Sequence, residues 1–310
     1  MNSSTTLDIE DDSSEFLSIL AAFIITANSV FGIYCNFLVF KNFITNKNER
    51  TSFNMICFFR SYVNIHILST IFLDVFVPAT ILGYSIYNPA IESSIISFGI
   101  TLYFANDYGA LVVALNRLFA LYFPMTYSKV FGMKPTFGIL VLIHVFQIVI
   151  IVQELIGYIP KKCFLYFNVS QLAWSPTFEP QCISYGGDST LYYFGGIFIL
   201  LCIIDTFTLI KIINIYKTET IVSRQKISQN AYLFLQTCAQ DSLFVLDIVF
   251  TFKLASLSNA RLWTFISGTV VWQCLHSFDG YIMMMFGLRS RNKPKHQITA
   301  VISLSRTTST

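Results

Sequence analysis

Seven long apolar runs constrain the fold of this chain more than any other feature of its sequence. An α-helix needs about 20 apolar residues to cross a bilayer, and each run reaches that length. A helix also satisfies its own backbone hydrogen bonds in hydrocarbon. The sequence therefore predicts an all-α membrane protein, a bundle of seven transmembrane helices. The predicted spans are Leu17–Phe40, Ser61–Leu82, Ile95–Leu115, Thr136–Gly157, Leu191–Ile213, Ala231–Phe252 and Leu262–Phe286.

The composition supports lipid as the surrounding solvent. Charged residues make up 12% of the 310 residues and apolar residues 54%, with a mean hydropathy of +0.61. Soluble domains carry about 25% charged residues, so a soluble fold of this composition would lack the charge to cover its surface. The sixth run is the weakest candidate, because Asp241 and Asp247 interrupt it. The second span is expected to carry Arg60 at its cytoplasmic end.

Lysine and arginine are distributed unevenly between the two sides of the predicted bundle. Fifteen lie in the first, third and fifth connections and the tail, against four in the alternate connections. Because cytoplasmic loops carry an excess of these residues, the N-terminus is predicted outside the cell and the C-terminus in the cytosol. The chain then divides into an extracellular segment 1–16, a seven-transmembrane domain 17–286 and a cytoplasmic tail 287–310.

Two further signals fall on the predicted outer side. Asn2 and Asn168 each begin an Asn-x-Ser tripeptide, the acceptor pattern for N-glycosylation. Cys163 and Cys182 share one outer connection, where an oxidising environment favours a disulfide, and two free thiols are the alternative. The cysteines show no metal-binding spacing. No metal site and no cofactor are expected.

Four short motifs carry a resemblance to a known family. The third span ends in "NRLFALYFPMTYSKVF", in which Arg117 is followed by Pro124 and Tyr127. "CNFLVF" lies in the first span, "RTSFN" at the start of the second helix and "FDGYIMMMF" in the seventh. Together these motifs resemble G-protein-coupled receptors, and most of all nematode chemoreceptors of serpentine receptor class X. The resemblance covers Leu17 to about Arg291.

The resemblance implies a chemosensory receptor, in which an external small-molecule or peptide ligand shifts helix packing and opens a cytoplasmic cleft for a heterotrimeric G-protein. It implies a multi-pass protein of the plasma membrane, with the sensory cilium as a candidate location, and neither enzyme activity nor a nucleic-acid partner. The residues implied for G-protein coupling are Asn116, Arg117, Pro124, Tyr127, Lys217, Arg224 and Lys226. Those implied for the conformational switch are Asn36, Asn64 and Asp279.

The sequence departs from the receptor pattern at several positions. Asn116 stands where an acid normally pairs with the arginine, and "SRQKISQN" at the start of the sixth helix offers no acid. The resting state must then hold Arg117 by packing or by neutral hydrogen bonds. Glu92 lies near the position of the usual third-helix cysteine, so the outer disulfide is expected within its own connection. Gly280 replaces the usual proline.

Polar residues inside the spans are candidates for a ligand pocket, because ionisable groups in hydrocarbon are costly and usually functional. Gln273, His276 and Asp279 recur on one face of the seventh helix. The alternative is that such residues are hydrogen-bond contacts between helices. The predicted pocket residues are Asp74, Tyr103, Asn106, Asp107, Asp247, Gln273 and His276.

Other functions fit the sequence less well. A retinal-binding protein needs a lysine in the seventh span, which has none, and the pattern of an intramembrane protease is missing. The two halves show no internal repeat of the kind that transporters often have. A ligand-gated ion channel or a small-solute transporter with seven helices is the alternative to a receptor.

Overall fold

A computed structural model describes residues 4–177, 179, 182, 187–218 and 221–291. It shows a helical bundle with one β-hairpin, and a helical span at each of the seven predicted runs. Spans 1 to 5 are Ser4–Thr45, Ser52–Leu82, Pro89–Tyr122, Met133–Tyr158 and Gly187–Thr218. Span 6 runs through Ile221–Val249, Phe250–Leu254 and Ala255–Leu257, and span 7 through Arg261–Thr264, Phe265–Val270 and Val271–Arg291.

Local sequence sets where several helices begin. The Thr51 hydroxyl accepts a hydrogen bond from the Asn54 backbone N–H and caps span 2. The Asn88 side chain accepts one from the Ala90 N–H at 2.8 Å and caps span 3. Such side chains satisfy donors that the first helical turn leaves free. Pro124 opens a short helix, Pro124–Val130, between spans 3 and 4, since a first-turn residue needs no N–H.

Span 2 contains a wider π-helical stretch, Leu68–Phe76, immediately before the turn that holds Pro78. Proline removes one helical hydrogen bond, and its ring displaces the carbonyl of the residue four positions earlier, Asp74. A π segment is one way in which a helix accommodates such a break. The span ends at Gly83, whose φ of 78° is the left-handed conformation of a common helix end.

The described residues include six helices that are long and apolar enough to cross a membrane, and these are spans 1 to 6. The sixth run, interrupted by Asp241 and Asp247, is among them. Span 7 is outside this set because Gln273, His276 and Asp279 lower its hydropathy. All three side chains are buried in the bundle, so they contact other helices rather than lipid.

Span 3 has the central position in the bundle. Span 1 contacts spans 2 and 7, span 3 contacts spans 2, 4, 5 and 6, and span 6 contacts span 7. Burial agrees with this order, since 61% of the apolar stretch of span 3 is buried against 17% for span 4. Large apolar side chains such as Leu142 and Ile156 of span 4 are exposed on the outside of the bundle, as contact with lipid requires.

The connection between spans 4 and 5 contains an antiparallel hairpin, β1 Leu165–Asn168 and β2 Ala173–Pro176. Its Cα partners are Leu165 with Pro176, Tyr166 with Ser175, Phe167 with Trp174 and Asn168 with Ala173. A disulfide joins Cys163 to Cys182, so the predicted bond is present within its own connection. Glycosylation of Asn168 stays a prediction, and Asn2 lies outside the described residues.

Two apolar clusters fill opposite ends of the bundle. The larger contains Phe72, Phe76 and Trp272 together with side chains of the hairpin, and this end is named the hairpin end. The other cluster contains Ile56 and Val112 and lies next to the short helix. Because Arg117 is on this side, it is named the Arg117 end.

Candidate functional site

Asp279 of span 7 is the centre of a buried polar network. Its Oδ1 lies 2.8 Å from Arg60 Nη2 in an ion pair and accepts a hydrogen bond of 2.6 Å from Gln240 Nε2. Its Oδ2 accepts a bond of 2.8 Å from Asn64 Nδ2. One carboxylate therefore connects spans 2, 6 and 7.

Arg60 lies inside the bundle rather than at the membrane boundary, where the sequence placed it. Only 9% of the residue is exposed. A buried guanidinium needs a counter-ion, because taking an unpaired charge out of water costs several kcal/mol. Asp279 supplies that counter-ion from the facing helix. The sequence interpretation of Arg60 as a boundary cation is wrong for this reason.

Asn64 extends the network to spans 1 and 3. Its Oδ1 accepts a hydrogen bond of 2.9 Å from Asn106 Nδ2 and lies 2.9 Å from His276 Nδ1. A carbonyl oxygen only accepts, so this contact assigns the proton to Nδ1 of His276. Asn64 Nδ2 also lies 3.2 Å from Asn36 Oδ1. The three residues predicted as a switch, Asn36, Asn64 and Asp279, thus share one set of direct contacts.

Gly280 allows Asn36 of span 1 to reach span 7. Asn36 Nδ2 donates to the His276 carbonyl oxygen at 3.1 Å and to the Gly32 carbonyl oxygen at 2.9 Å. A Cβ atom on residue 280 would overlap the Asn36 amide. The glycine that replaces proline at this position is therefore required by a close approach of two helices.

Arg117 contacts neutral groups. Its Nη1 donates to Thr237 Oγ1 of span 6, and its Cζ lies 5.2 Å from the centroid of the Phe53 ring, a cation–π contact. Its Nε and Nη2 have no hydrogen-bond partner among the described residues. Arg117 is buried, so these unpaired donors lie inside the protein.

A cavity of about 480 Å³ lies at the Arg117 end between spans 1, 2, 3, 5, 6 and 7. Asn116, Arg117 and Tyr127 line it together with Ser52. The Tyr127 hydroxyl lies 2.9 Å from Ser52 Oγ and donates to Asn116 Oδ1 at 3.3 Å. Because Tyr127 belongs to the short helix Pro124–Val130, these contacts attach that helix to spans 2 and 3.

The predicted coupling residues outside the cavity lie at the same end. Pro124 and Lys217 are exposed, the latter in the last turn of span 5. Arg224 and Lys226 belong to the helix Ile221–Val249 of span 6, and their side chains lie outside the described residues.

A sequence model of the serpentine type 7TM GPCR chemoreceptor Srx family matches residues 26–287. The chain belongs to this family. The match extends from span 1 to span 7, so the protein is a multi-pass membrane protein of a chemoreceptor family, and the predicted family is confirmed. Comparison with curated proteins finds no significant match.

The predicted ligand residues of this Srx-family protein lie in several different environments. Asn106 and His276 belong to the network around Asn64. The Tyr103 hydroxyl donates to Asp247 Oδ2 at 2.9 Å and connects spans 3 and 6. Gln273 faces span 1, where its Nε2 donates to a carbonyl oxygen and to a hydroxyl, each at 2.6 Å.

Asp74 lies nearer the hairpin end of the Srx bundle than the network residues. Its Oδ2 accepts a hydrogen bond of 2.8 Å from the Tyr87 hydroxyl, in the connection between spans 2 and 3. This hydrogen bond stabilises the protonated phenol and raises the pKa of Tyr87 above its usual value. Asp74 therefore fixes the connection to span 2.

Asp107 lines a cavity of about 20 Å³ in the middle of the bundle, large enough for about one water molecule. Only 5% of Asp107 is exposed. Arg60 also lines this cavity. Two atoms, Asp107 Oδ2 and Arg60 Nε, are buried without a hydrogen-bond partner in the described part of the chain.

Sequence reasoning missed Arg60, Gln240 and Thr237, which complete the contacts of Asp279 and Arg117. A signal existed for Arg60, because a cation at an apolar span and an aspartate in another suggest a buried pair. No comparable signal existed for Thr237, since hydroxyl residues are common in helices of membrane proteins. Its role depends on which face of span 6 is turned toward span 3.

Proposed function

We propose that this Srx-family protein is a chemosensory receptor that couples an external ligand to a heterotrimeric G-protein. The hairpin end faces the outside of the cell and the Arg117 end faces the cytosol, because most of the lysines and arginines lie in the connections on the Arg117 side. The protein acts in the plasma membrane, with the sensory cilium as its candidate location. The observation that carries the proposal is the cavity at the Arg117 end, which contains a charged side chain with unpaired donors.

The chemistry of this cavity suits a peptide segment of a G-protein. Arg117 lines the cavity, and its planar guanidinium has the right geometry to donate to carbonyl or carboxylate oxygens once spans 3 and 6 separate. Apolar side chains such as Leu233 and Met283 line the same cavity. A volume of about 480 Å³ lies within the range of typical ligand sites, about 300–1,000 Å³.

Opening of the cavity requires separation of spans 3 and 6 where Arg117 contacts Thr237. A hydrogen bond to a charged group stabilises by about 1.5–3 kcal/mol. A ligand that moves an equilibrium from 1:99 to 99:1 must supply about 5.5 kcal/mol of differential affinity. Loss of this one contact therefore fits within the energy that such a ligand provides.

The polar network is the proposed link between the two ends, because Asp279 of span 7 lies between Trp272 of the large apolar cluster and Met283 of the cavity lining. Asn106 of span 3 and His276 of span 7 both bind Asn64, which in turn binds Asp279. A ligand that moves span 3 relative to span 7 changes these contacts together. The expected mechanism is a shift between two helix packings that exist before the ligand binds.

The test is binding of a synthetic peptide with the C-terminal sequence of a G-protein α subunit to the purified receptor. We expect Arg117→Ala to weaken peptide binding by about tenfold or more, the factor implied by loss of a hydrogen bond to a charged group. The matched control is Lys129→Ala, which removes an exposed cation from the short helix and is expected to change affinity less than about twofold.

Two results would contradict this function. One is equal peptide affinity for Arg117→Ala and the unmodified receptor. The other is a ligand-evoked ionic current in cells that lack G-proteins, which would identify the protein as a ligand-gated channel.

A further inference from the structure

The hairpin fills the hairpin end of the bundle with its own side chains. Phe167 and Leu172 are buried members of the large apolar cluster. The Phe167 ring lies 4.6 Å from the Phe76 ring, and the Trp174 ring lies 6.2 Å from the Trp272 ring, between centroids. Residues of a connection thus occupy the space between spans 2 and 7.

Glu92 of span 3 holds β1 in this position. It is 2% exposed, and its Oε1 accepts a hydrogen bond of 2.6 Å from the Phe167 backbone N–H. Its Oε2 accepts from the Ser85 hydroxyl. The neighbouring Ser93 hydroxyl oxygen accepts from the Leu165 N–H at 3.0 Å. Span 3 is therefore bound to the hairpin by hydrogen bonds, which can break and form again.

Span 7 binds the turn side of the hairpin in the same way. The Thr269 hydroxyl donates to the Leu172 carbonyl oxygen at 2.7 Å, and Arg261 Nη2 donates to the Val169 carbonyl oxygen at 3.1 Å. Each of these contacts joins a side chain of a span to the hairpin backbone. Water can replace each such partner when the hairpin leaves.

We propose that the space taken by Phe167, Leu172 and Trp174 is the external ligand site, and that the ligand is an uncharged aromatic or branched aliphatic molecule that displaces the hairpin. This inference rests on the proposed function, because only in a receptor is the molecule bound at this site the activating ligand. The side chains that the ligand would contact are those of the large apolar cluster, such as Phe76 and Trp272. Burial of a charged ligand against them is costly.

A ligand at this place would lie close to the polar network. The Trp272 ring is 6.0 Å from the His276 ring, and His276 binds Asn64 directly. A molecule that takes the place of Trp174 would contact Trp272, and Trp272 contacts His276 of the network. This differs from a site built on Tyr103, Asn106, Asp247 and His276, whose side chains already have hydrogen-bond partners within the bundle.

The first experiment measures release of the hairpin in purified receptor in lipid nanodiscs, where both faces are accessible. The reporter is Ser175→Cys, a nearly isosteric change at a β2 residue that is 5% exposed. Gln171→Cys, at an exposed position of the turn, gives the labelling rate of a thiol that is fully accessible to solvent. The thiol reagent is polar. The parent protein has five free cysteines, so its labelling is measured separately and subtracted as background.

We expect Glu92→Ala to raise the labelling rate of Ser175→Cys by about tenfold or more, because a buried charged hydrogen bond is lost. Glu92→Gln keeps the side-chain volume and should act in the same direction with a smaller effect, so it serves if Glu92→Ala does not fold. The matched control is Glu154→Ala, at an exposed position of span 4. Equal rates for the Glu92 and Glu154 variants would overturn the role of Glu92.

The second experiment tests the ligand class with three probes that share one ring, namely benzyl alcohol, benzoate and benzylammonium. In the Ser175→Cys, Glu92→Gln receptor, benzyl alcohol should increase labelling while the two charged probes leave it unchanged. Labelling of Gln171→Cys should not respond to any probe. No response to benzyl alcohol, or equal responses to all three probes, would overturn the proposed site.

Neither experiment contains a G-protein. A receptor that shows both labelling responses but never binds the G-protein peptide would contradict the proposed function and leave the ligand site standing. A receptor that binds the peptide through Arg117, but whose Ser175→Cys labelling stays constant, would support the proposed function and contradict the ligand site.

Discussion

At the residue scale, the pair formed by Arg60 and Asp279 shows what a charged side chain needs inside a bundle surrounded by lipid. Each charge is buried, and each is bonded to a group on a different span. The cost of desolvating two ions is offset by their attraction and by the amides of Asn64 and Gln240, which fill the other acceptor positions of the carboxylate. Loss of one partner is therefore worse than loss of both.

Removal of Arg60 alone should destabilise the receptor strongly. We expect Arg60→Ala to lower the free energy of unfolding by about 3–5 kcal/mol, because Asp279 is left buried and unpaired. Arg60→Met combined with Asp279→Leu should recover part of that loss, since no charge is left unpaired but the amides of Asn64 and Gln240 lose their acceptor. Thermal unfolding of the purified variants measures both. A double variant no more stable than Arg60→Ala would show that the ion pair is not the reason for the loss.

A methyl group at position 280 should also destabilise the bundle, because it overlaps the Asn36 amide. Overpacking of this kind costs about 1–3 kcal/mol, so Gly280→Ala should unfold at a lower temperature. Gly287→Ala is the matched control in the same helix, where an added Cβ meets no atom within 4 Å. Since alanine is the better helix former, the control should lose no stability. Equal losses at both glycines would remove the close-approach explanation.

At the element scale, helices formed where the apolar runs predicted them, and the polar ends of those helices were harder to predict. Span 3 runs from Pro89 to Tyr122, beyond the predicted Ile95–Leu115 at both ends. Hydropathy marks the stretch in hydrocarbon, whereas caps such as Asn88 decide where a helix begins. The hairpin has no comparable signal, because its short strands are stabilised by contacts with distant residues such as Glu92 and Thr269.

The short helix Pro124–Val130 should depend on one hydroxyl group for its attachment. Tyr127→Phe removes the contacts with Ser52 and Asn116, each worth about 0.5–1.5 kcal/mol. Amide hydrogen exchange in this helix should then become faster by roughly tenfold. Tyr122→Phe is the control, since it removes an exposed hydrogen bond to the Phe207 carbonyl oxygen. If both variants exchange alike, the Tyr127 contacts do not attach the helix.

At the scale of the whole molecule, the two ends of the bundle are built differently. The hairpin end is filled by apolar side chains of the connection between spans 4 and 5, whereas the Arg117 end contains the large cavity. The sequence indicated the seven helical runs and the family. It did not show that Asn36, Asn64 and Asp279 meet Arg60 and Gln240, because that depends on how each helix is rotated about its axis.

The proposed function depends on one orientation in the membrane, in which the hairpin end faces the outside of the cell and the cavity with Arg117 faces the cytosol. Labelling of single added cysteines in intact cells with a membrane-impermeant thiol reagent tests it most directly, with Gln171→Cys in the hairpin turn and Ser128→Cys on the short helix, both exposed positions. The predicted result is labelling of Gln171→Cys in intact cells and of Ser128→Cys only after permeabilisation. Labelling of Ser128→Cys in intact cells would contradict it.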